Sequence, residues 1–273
     1  RTLSLGAGVQ STAMYYQSSL GILPRCDYAV FADTGCEPFA VYQNLARLIQ
    51  WSIDNQGIPI VVASKGNLLV DMVSHYLGLS NSFPAIPAFV PKVNGGRAML
   101  SRQCTGRYKI EVVNSVSRRL AGVAKYKHMS PCDLYLGISL DEVERIKHPL
   151  EVWKKHCYPY VGYTATRSGV ERSSSEHVAT RAELIAWMRA KNLVIPAKSS
   201  CTICPYLGSI DRKTYTESER DQLRVAEFVI NETTGRSLGT RVYLSESLAT
   251  VDELLASDDI SPSLFNCSDS CNT

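Results

Sequence analysis

The hydrophobic positions of the chain fall into short apolar runs that alternate with helical spacing, and this alternation sets the expected fold. Thr2 to Leu5 reads as a short buried strand, broken by Gly6-Ala7-Gly8, after which Gln10-Ser11-Thr12 opens a helix that ends near Gly21. Asp27 to Asp33 is a second apolar run. From Phe39 to Gln56, residues Phe39, Tyr42, Leu45, Leu48 and Ile49 share one face at i, i+3 and i+4 spacing, predicting a helix packed on a sheet. Ile58 to Ala63 (IPIVVA) is apolar throughout, which predicts a central, parallel strand. Strand, helix, strand, helix, strand in this order predicts an α/β fold, a doubly wound and mostly parallel Rossmann-like sheet.

Further along, a helix is expected from about Asn67 to Leu77, and residues 80–103, with three prolines and Gly95-Gly96, exclude long regular structure and suggest a binding loop or lid. Cys104 then stands at a helix start that runs to about Leu120, a position that favours thiolate. Asp133 to Ser139 predicts a fourth strand, Thr166 to Ser175 a polar surface loop, and Thr180 with Glu183 a capping box. A helix carrying Glu219, Leu223, Ala226 and Phe228 and a last one ending near Leu255 complete the expected elements. The division expected is 1–208, an α/β nucleotide-binding domain including the C-x-x-C loop, and 209–273, a helical extension with a cysteine-bearing tail.

Composition narrows the class. A hydrophobic content of 45% with 20% charged residues is that of a globular chain, and no apolar run is long enough to span a bilayer, so a cytoplasmic protein without a membrane partner is expected. The net charge is only +3, yet Arg97 to Lys127 carries eight Lys or Arg against the single Glu111, a surplus that suits nucleotide phosphates or a nucleic-acid backbone. Nine cysteines in such a chain point to metal or redox chemistry. Cys201 and Cys204 form C-x-x-C followed by Pro205, and Cys267 and Cys271 form C-x-x-x-C in the tail. Cys104, Cys201 and Cys204 are the expected metal ligands, with Cys36, Cys132 and Cys157 as candidates for a fourth.

The turn from Gly6 to Thr12 has the form of an anion cradle: free N–H groups and the positive end of a helix dipole, with the Ser11 and Thr12 hydroxyls as added donors. It lacks the lysine of a Walker loop. Gly6, Ala7, Gly8, Val9, Gln10 and Ser11 resemble instead the S-G-G-x-D-S pyrophosphate loop (PP-loop) of the adenine nucleotide alpha hydrolases, with the first Ser and the Asp replaced. Asp33-Thr34-Gly35 resembles the D-T-G of phosphoadenosine phosphosulfate reductases, at a strand end where α/β nucleotide sites hold ribose or adenine. Gly137 to Arg145 resembles their G-x-R-x-x-E-S-x-x-R segment, with Ser139 for the first Arg. Its acids, Asp141 and Glu142, suit Mg²⁺ on ATP phosphates, and Arg145 suits a leaving phosphate.

Five segments together, L-G-A-G-V-Q-S at Leu5, F-A-D-T-G-x-E-P at Phe31, Q-C-T-x-x-Y-K-I at Gln103, G-I-S-x-D-E-x-x-R at Gly137 and S-x-C-x-x-C-P-Y at Ser199, span about 200 of 273 residues. In that order they resemble an often phage-encoded, phosphoadenosine phosphosulfate reductase-like subgroup of the PP-loop superfamily. The resemblance implies ATP or an adenylyl nucleotide held by Gly6, Ala7, Gly8, Gln10, Ser11 and Thr12, with Asp33, Thr34, Gly35 and Gly137 nearby. It further implies catalysis by Asp141, Glu142, Arg145 and Cys104, with a [4Fe-4S] cluster, or else zinc, on Cys104, Cys201 and Cys204. Three functions follow as alternatives. One is an iron–sulfur enzyme that adenylates a nucleobase or nucleic-acid group for sulfur transfer. Another is a sulfonucleotide reductase drawing on thioredoxin-like or other reducing thiols, in which Cys267 and Cys271 would take part. The third is a nucleotide-binding module with structural zinc. A homodimer is left open.

Overall fold

The computed structural model describes residues 1–122, 132–173, 177–206 and 212–257; the tail cysteines Cys267 and Cys271 and the end of the basic run, 123–127, lie outside them. Seven strands form one sheet in the order β3-β2-β1-β6-β7-β8-β9. The first five strands in that order are parallel: β3 (Ile60–Ser64), β2 (Tyr28–Asp33), β1 (Thr2–Ser4), β6 (Cys132–Tyr135) and β7 (Lys154–Tyr158). Two antiparallel strands, β8 (Tyr163–Thr166) and β9 (Gly169–Arg172), complete the sheet. It is the expected α/β, mostly parallel, Rossmann-like sheet flanked by helices.

Alternation along the strands explains the layers. Leu3, Ala29 and Phe31 pack with residues of α1 (Val9–Ser19), α2 (Phe39–Asn55) and α5 (Arg181–Ala190) on one face. Val30 and Leu134 turn the other way onto Val113 and Val116 of α4 (Glu111–Leu120). A second core joins α3 (Leu68–Tyr76) and Tyr108 to Leu223, Val229 and Ile230 of α6 (Glu217–Ile230) and to Val251, which opens α7 (Val251–Ala256). The described residues after 211 therefore share a core with the α/β sheet's own helices and loops.

Three expectations are corrected. The strand after α2 is parallel but lies at the sheet edge, and Val62 is 48% exposed; its apolar composition reflects β-propensity more than burial. Phe39 is also exposed, because α2 begins there and buries Val41, Asn44, Leu45 and Leu48 instead. The polar run after Thr166 includes β9, hydrogen-bonded to β8 as a hairpin. The expected reciprocal Thr180–Glu183 box at the start of α5 is present. In residues 80–103 the regular structure is one short antiparallel pair, β4 (Phe89–Pro91) with β5 (Arg97–Met99).

Candidate functional site

The strand order reverses between β1 and β6, with β2 and β3 on one side of β1 and β7 on the other. In open α/β sheets the crevice beyond the carboxyl ends at such a switch point is where ligands bind. Gly6-Ala7-Gly8 follows β1 there and Gly137 follows β6. Gly8 caps α1 with extended backbone and no side-chain cap, so the N–H groups of Val9, Gln10 and Ser11 have no partner within the helix. Ala7 takes a left-handed φ of 55°, where a side chain costs about 1–2 kcal/mol. A Cβ on Gly137 would lie 2.9 Å from the Ser11 nitrogen, so β6 and the first turn of α1 meet backbone to backbone.

The predicted loop residues separate into two groups. Ser11 remains at the opening, its hydroxyl donating to the Gly8 carbonyl at 3.3 Å. Thr12 is fully buried behind the loop, where Asn44 Nδ2 donates both to its hydroxyl (3.1 Å) and to the Ala7 carbonyl (2.9 Å). Thr12 is thus a strut of the loop, and the expected phosphate-facing hydroxyl is corrected. Asn44 was missed, although a polar residue at i+3 from Val41 on a buried face is the signal that would have found it.

Gln10 Nε2 reaches across the crevice to Glu142 Oε2 (3.1 Å) and Ser139 Oγ (3.4 Å). Glu142 is buried and pairs with the Arg145 guanidinium. Burial raises its carboxyl above the usual range, opposed by that cation. Asp141 is different. Its Oδ1 accepts the Arg181 backbone N–H at 2.9 Å, at the start of α5. Burial pushes its carboxyl up, but hydrogen bonds from Ser139 and from the Arg181 backbone outweigh this and hold it below the usual value. Arg145 Nε is buried without a hydrogen-bond partner.

The D-T-G turn serves the neighbouring cysteines. Asp33 Oδ1 accepts the Gly35 N–H (2.8 Å) and the Tyr42 hydroxyl (2.7 Å), and Gly35 is left-handed at φ 66°. This turn aims Thr34 at Cys201, with 3.4 Å between Oγ1 and Sγ. Thr34, Cys104, Cys201 and Cys204 line one small cavity together with Arg102 and Lys109. Cys104 enters from the start of a π-helical turn, Thr105–Ile110. Burial pushes the Cys201 thiol well above its usual range, and the Glu37 carboxylate at 3.5 Å adds to the effect. Of the other candidate ligands, Cys36 is buried nearby but directs its sulfur toward Gln222 (3.8 Å), and burial with Glu37 pushes its thiol up to about 12. Cys157 lies on β7 and Cys132 on β6, away from this cavity.

Among the described residues no three Cys, His, Asp or Glu gather closely enough to hold a metal ion, and the spacing shown is that of free thiols. Cysteines are the residue type that ligates an iron–sulfur group, but the structure does not bring these three together around one. Cys104, Cys201 and Cys204 line one cavity with Arg102 and Lys109, while the Cys201 thiol donates to Glu37 at 3.5 Å. Four-coordinate zinc would need a fourth ligand there.

The two halves of the site touch through Ser199, which sequence reasoning left without a role. A Cβ on Gly8 would lie 2.5 Å from Ser199 Oγ, and Cys201 follows two residues later. Next to Ser199, the hydroxyls of Ser200 and Thr202 are buried without partners. The class this fold defines is a Rossmann-like α/β protein with a glycine loop at its switch point. In comparisons with known families, curated proteins and solved structures, no match to this chain is found.

Proposed function

We propose that the protein is an ATP-dependent, iron–sulfur-containing enzyme that adenylates a nucleobase or nucleic-acid group and replaces an oxygen by sulfur. The observation that carries this reading is the contact of Ser199 with Gly8: the loop bearing Cys201 and Cys204 rests on the glycine loop, so activation and sulfur delivery would share one crevice.

The open N–H groups of α1 and the Ser11 hydroxyl bind the phosphates. Glu142 holds Mg²⁺, while Asp141 anchors the start of α5. A substrate carbonyl oxygen attacks the α-phosphorus of ATP; its O–P bond forms as the bond to pyrophosphate breaks. Arg145 offsets the charge on the departing pyrophosphate. Hydrosulfide, as the co-substrate, then adds to the carbonyl carbon and loses its proton to solvent, and AMP leaves with the former carbonyl oxygen. Cys104, Cys201 and Cys204 would hold the cluster, which when bound supplies an iron open to sulfur. Basic side chains of the run from Arg97 face the polyanionic substrate, among them Arg107, Arg118 and Arg119.

The test is anaerobic purification with iron, sulfide and zinc assays, and titration with Mg²⁺-ATP. Cys104→Ala, Cys201→Ala and Cys204→Ala should each lose the broad charge-transfer absorption, which Cys26→Ala keeps. Gly8→Val should displace Ser199 and weaken ATP binding. One zinc per chain and no iron would overturn the reading.

A further inference from the structure

A second cavity, of about 390 Å³, opens on the face of the sheet that packs against α1 and α5. It is lined by β6, β7 and β8 and by neither the glycine loop nor Cys104, Cys201 and Cys204, and its size is that of a small-molecule site. Register explains its floor. Asp133 stands opposite Lys155, and two residues on along the same face Tyr135 stands opposite Cys157, which pairs in turn with Thr164. Pro24 and Pro159 add apolar surface to the wall.

Three polar groups in this floor are left with bonding capacity to spare. Tyr135 is 7% exposed, and its hydroxyl, which burial keeps protonated, has no hydrogen-bond partner among the described residues. Tyr158 and Tyr160, by contrast, donate at 2.9 Å to the Lys147 carbonyl and to Gln17 Oε1. The Lys155 ammonium meets Asp133 Oδ1 at 3.0 Å and has two further donors. Asp133 Oδ2 has the Arg1 guanidinium at 3.8 Å, too far for a hydrogen bond. A buried hydroxyl without a partner costs free energy, and a phenyl ring would fill the same place without that cost.

A ligand with a single charge would leave one member of the Asp133–Lys155 pair opposed, whereas a ligand that carries both charges a few atoms apart satisfies the two together. We propose that this cavity binds a free α-amino acid with an apolar side chain: its ammonium donates to Asp133 Oδ2, its carboxylate accepts from Lys155 and from the Tyr135 hydroxyl, and its side chain lies along Cys157, Pro24 and Pro159. Such a site needs neither the nucleotide nor the sulfur chemistry proposed above.

The experiment is isothermal titration calorimetry on the full chain with L-phenylalanine and L-leucine, beside L-phenylalaninamide, N-acetyl-L-phenylalanine and adenosine. Saturable binding of either amino acid, with both blocked derivatives at least about tenfold weaker, supports the proposal. Equal binding of the parent and either blocked compound, binding of adenosine alone, or binding of neither amino acid overturns it. Variants then place the ligand. Lys155→Met should weaken the amino acid at least about tenfold, and Tyr135→Phe about threefold or more. Tyr135→Phe removes a hydroxyl that holds nothing in the free protein, so it should unfold in urea as wild type does, and it carries the test should Lys155→Met fail to fold. A folded variant of either kind that binds the amino acid as wild type does overturns the placement.

Discussion

Replacing Gly137 by alanine tests whether the crevice depends on backbone contact between β6 and α1. The added methyl would lie 2.9 Å from the Ser11 nitrogen and 3.1 Å from both the Gln10 carbonyl carbon and the Ser11 Cα. These are backbone atoms of a helical turn and cannot swing aside as a side chain tip would. Restoring ordinary contact requires the strand end and the helix start to part by about 0.5 Å, which forfeits a good part of the dispersion between them. Overpacking of this kind costs roughly 1–3 kcal/mol. For a chain of this size that is a fall in Tm of about 2–10 °C. Gly169→Ala is the control, since nothing lies within 4 Å of a Cβ there, and it should stay within about 0.5 kcal/mol of wild type. Thermal and urea unfolding followed by circular dichroism give the comparison. If the open N–H groups of that turn bind phosphate, Gly137→Ala should also weaken Mg²⁺-ATP at least about tenfold, or 1.4 kcal/mol. A Gly137→Ala protein as stable as Gly169→Ala refutes the packing argument. One that is destabilised but binds ATP as wild type does refutes the placement of the phosphates.

His156, lowered to about 4 by burial against the pull of its hydrogen bond to the Lys147 carbonyl, binds fewer protons folded than unfolded between about pH 4 and 6.5. Its contribution should be fully present above that window and lost as pH falls through it, about 3 kcal/mol in all, so that His156→Gln flattens the slope of urea stability against pH. Thr216→Ala removes the capping box of α6, whose Glu219 also accepts the Phe39 N–H, and should cost about 1 kcal/mol in urea unfolding, with an unchanged midpoint counting against the cap. Trypsin should cut at Lys92 in the turn between β4 and β5, where Val93 is fully exposed, and nucleotide should slow the cut if residues 80–103 close over the site. Equal cutting with and without Mg²⁺-ATP removes the lid.

The parallel half of the sheet was legible because its strands and helices carry their own signals. Ala29, Val30 and Phe31 form an unbroken apolar run, α2 has a buried stripe, and Thr180 sits three residues before Glu183. The strands beyond β6 gave no such signal. In β7, Lys-Lys-His-Cys-Tyr reads as polar, yet Lys154 is buried because Asn114 and Glu151 take its ammonium at 3.1 and 2.9 Å. Burial there follows from tertiary partners that periodicity does not contain. The candidate site divides in the same way. Glycines and cysteines announce themselves by spacing, whereas Asn44, Glu37 and Ser199 matter through contacts with residues far away in sequence.

Gln10 and Glu142 show how a departure at one motif is read through another. A neutral glutamine stands where the PP-loop pattern has an acid, which taken alone removes a charge from the loop. Across the crevice, 3.1 Å from that glutamine, stands the buried carboxylate of Glu142, partnered by Arg145. A carboxylate at both positions would place two negative charges at hydrogen-bond distance in a buried site and force one of them to keep its proton. With an amide at position 10, Glu142 gains a donor across the crevice in place of a second acid. On the proposed reading, this puts the acid that meets Mg²⁺ on the segment after β6 while the glycine loop keeps its open N–H groups for phosphate. The substitution that looks like a lost acid in the first motif is, in the folded chain, a hydrogen-bond donor to the acid of the fourth.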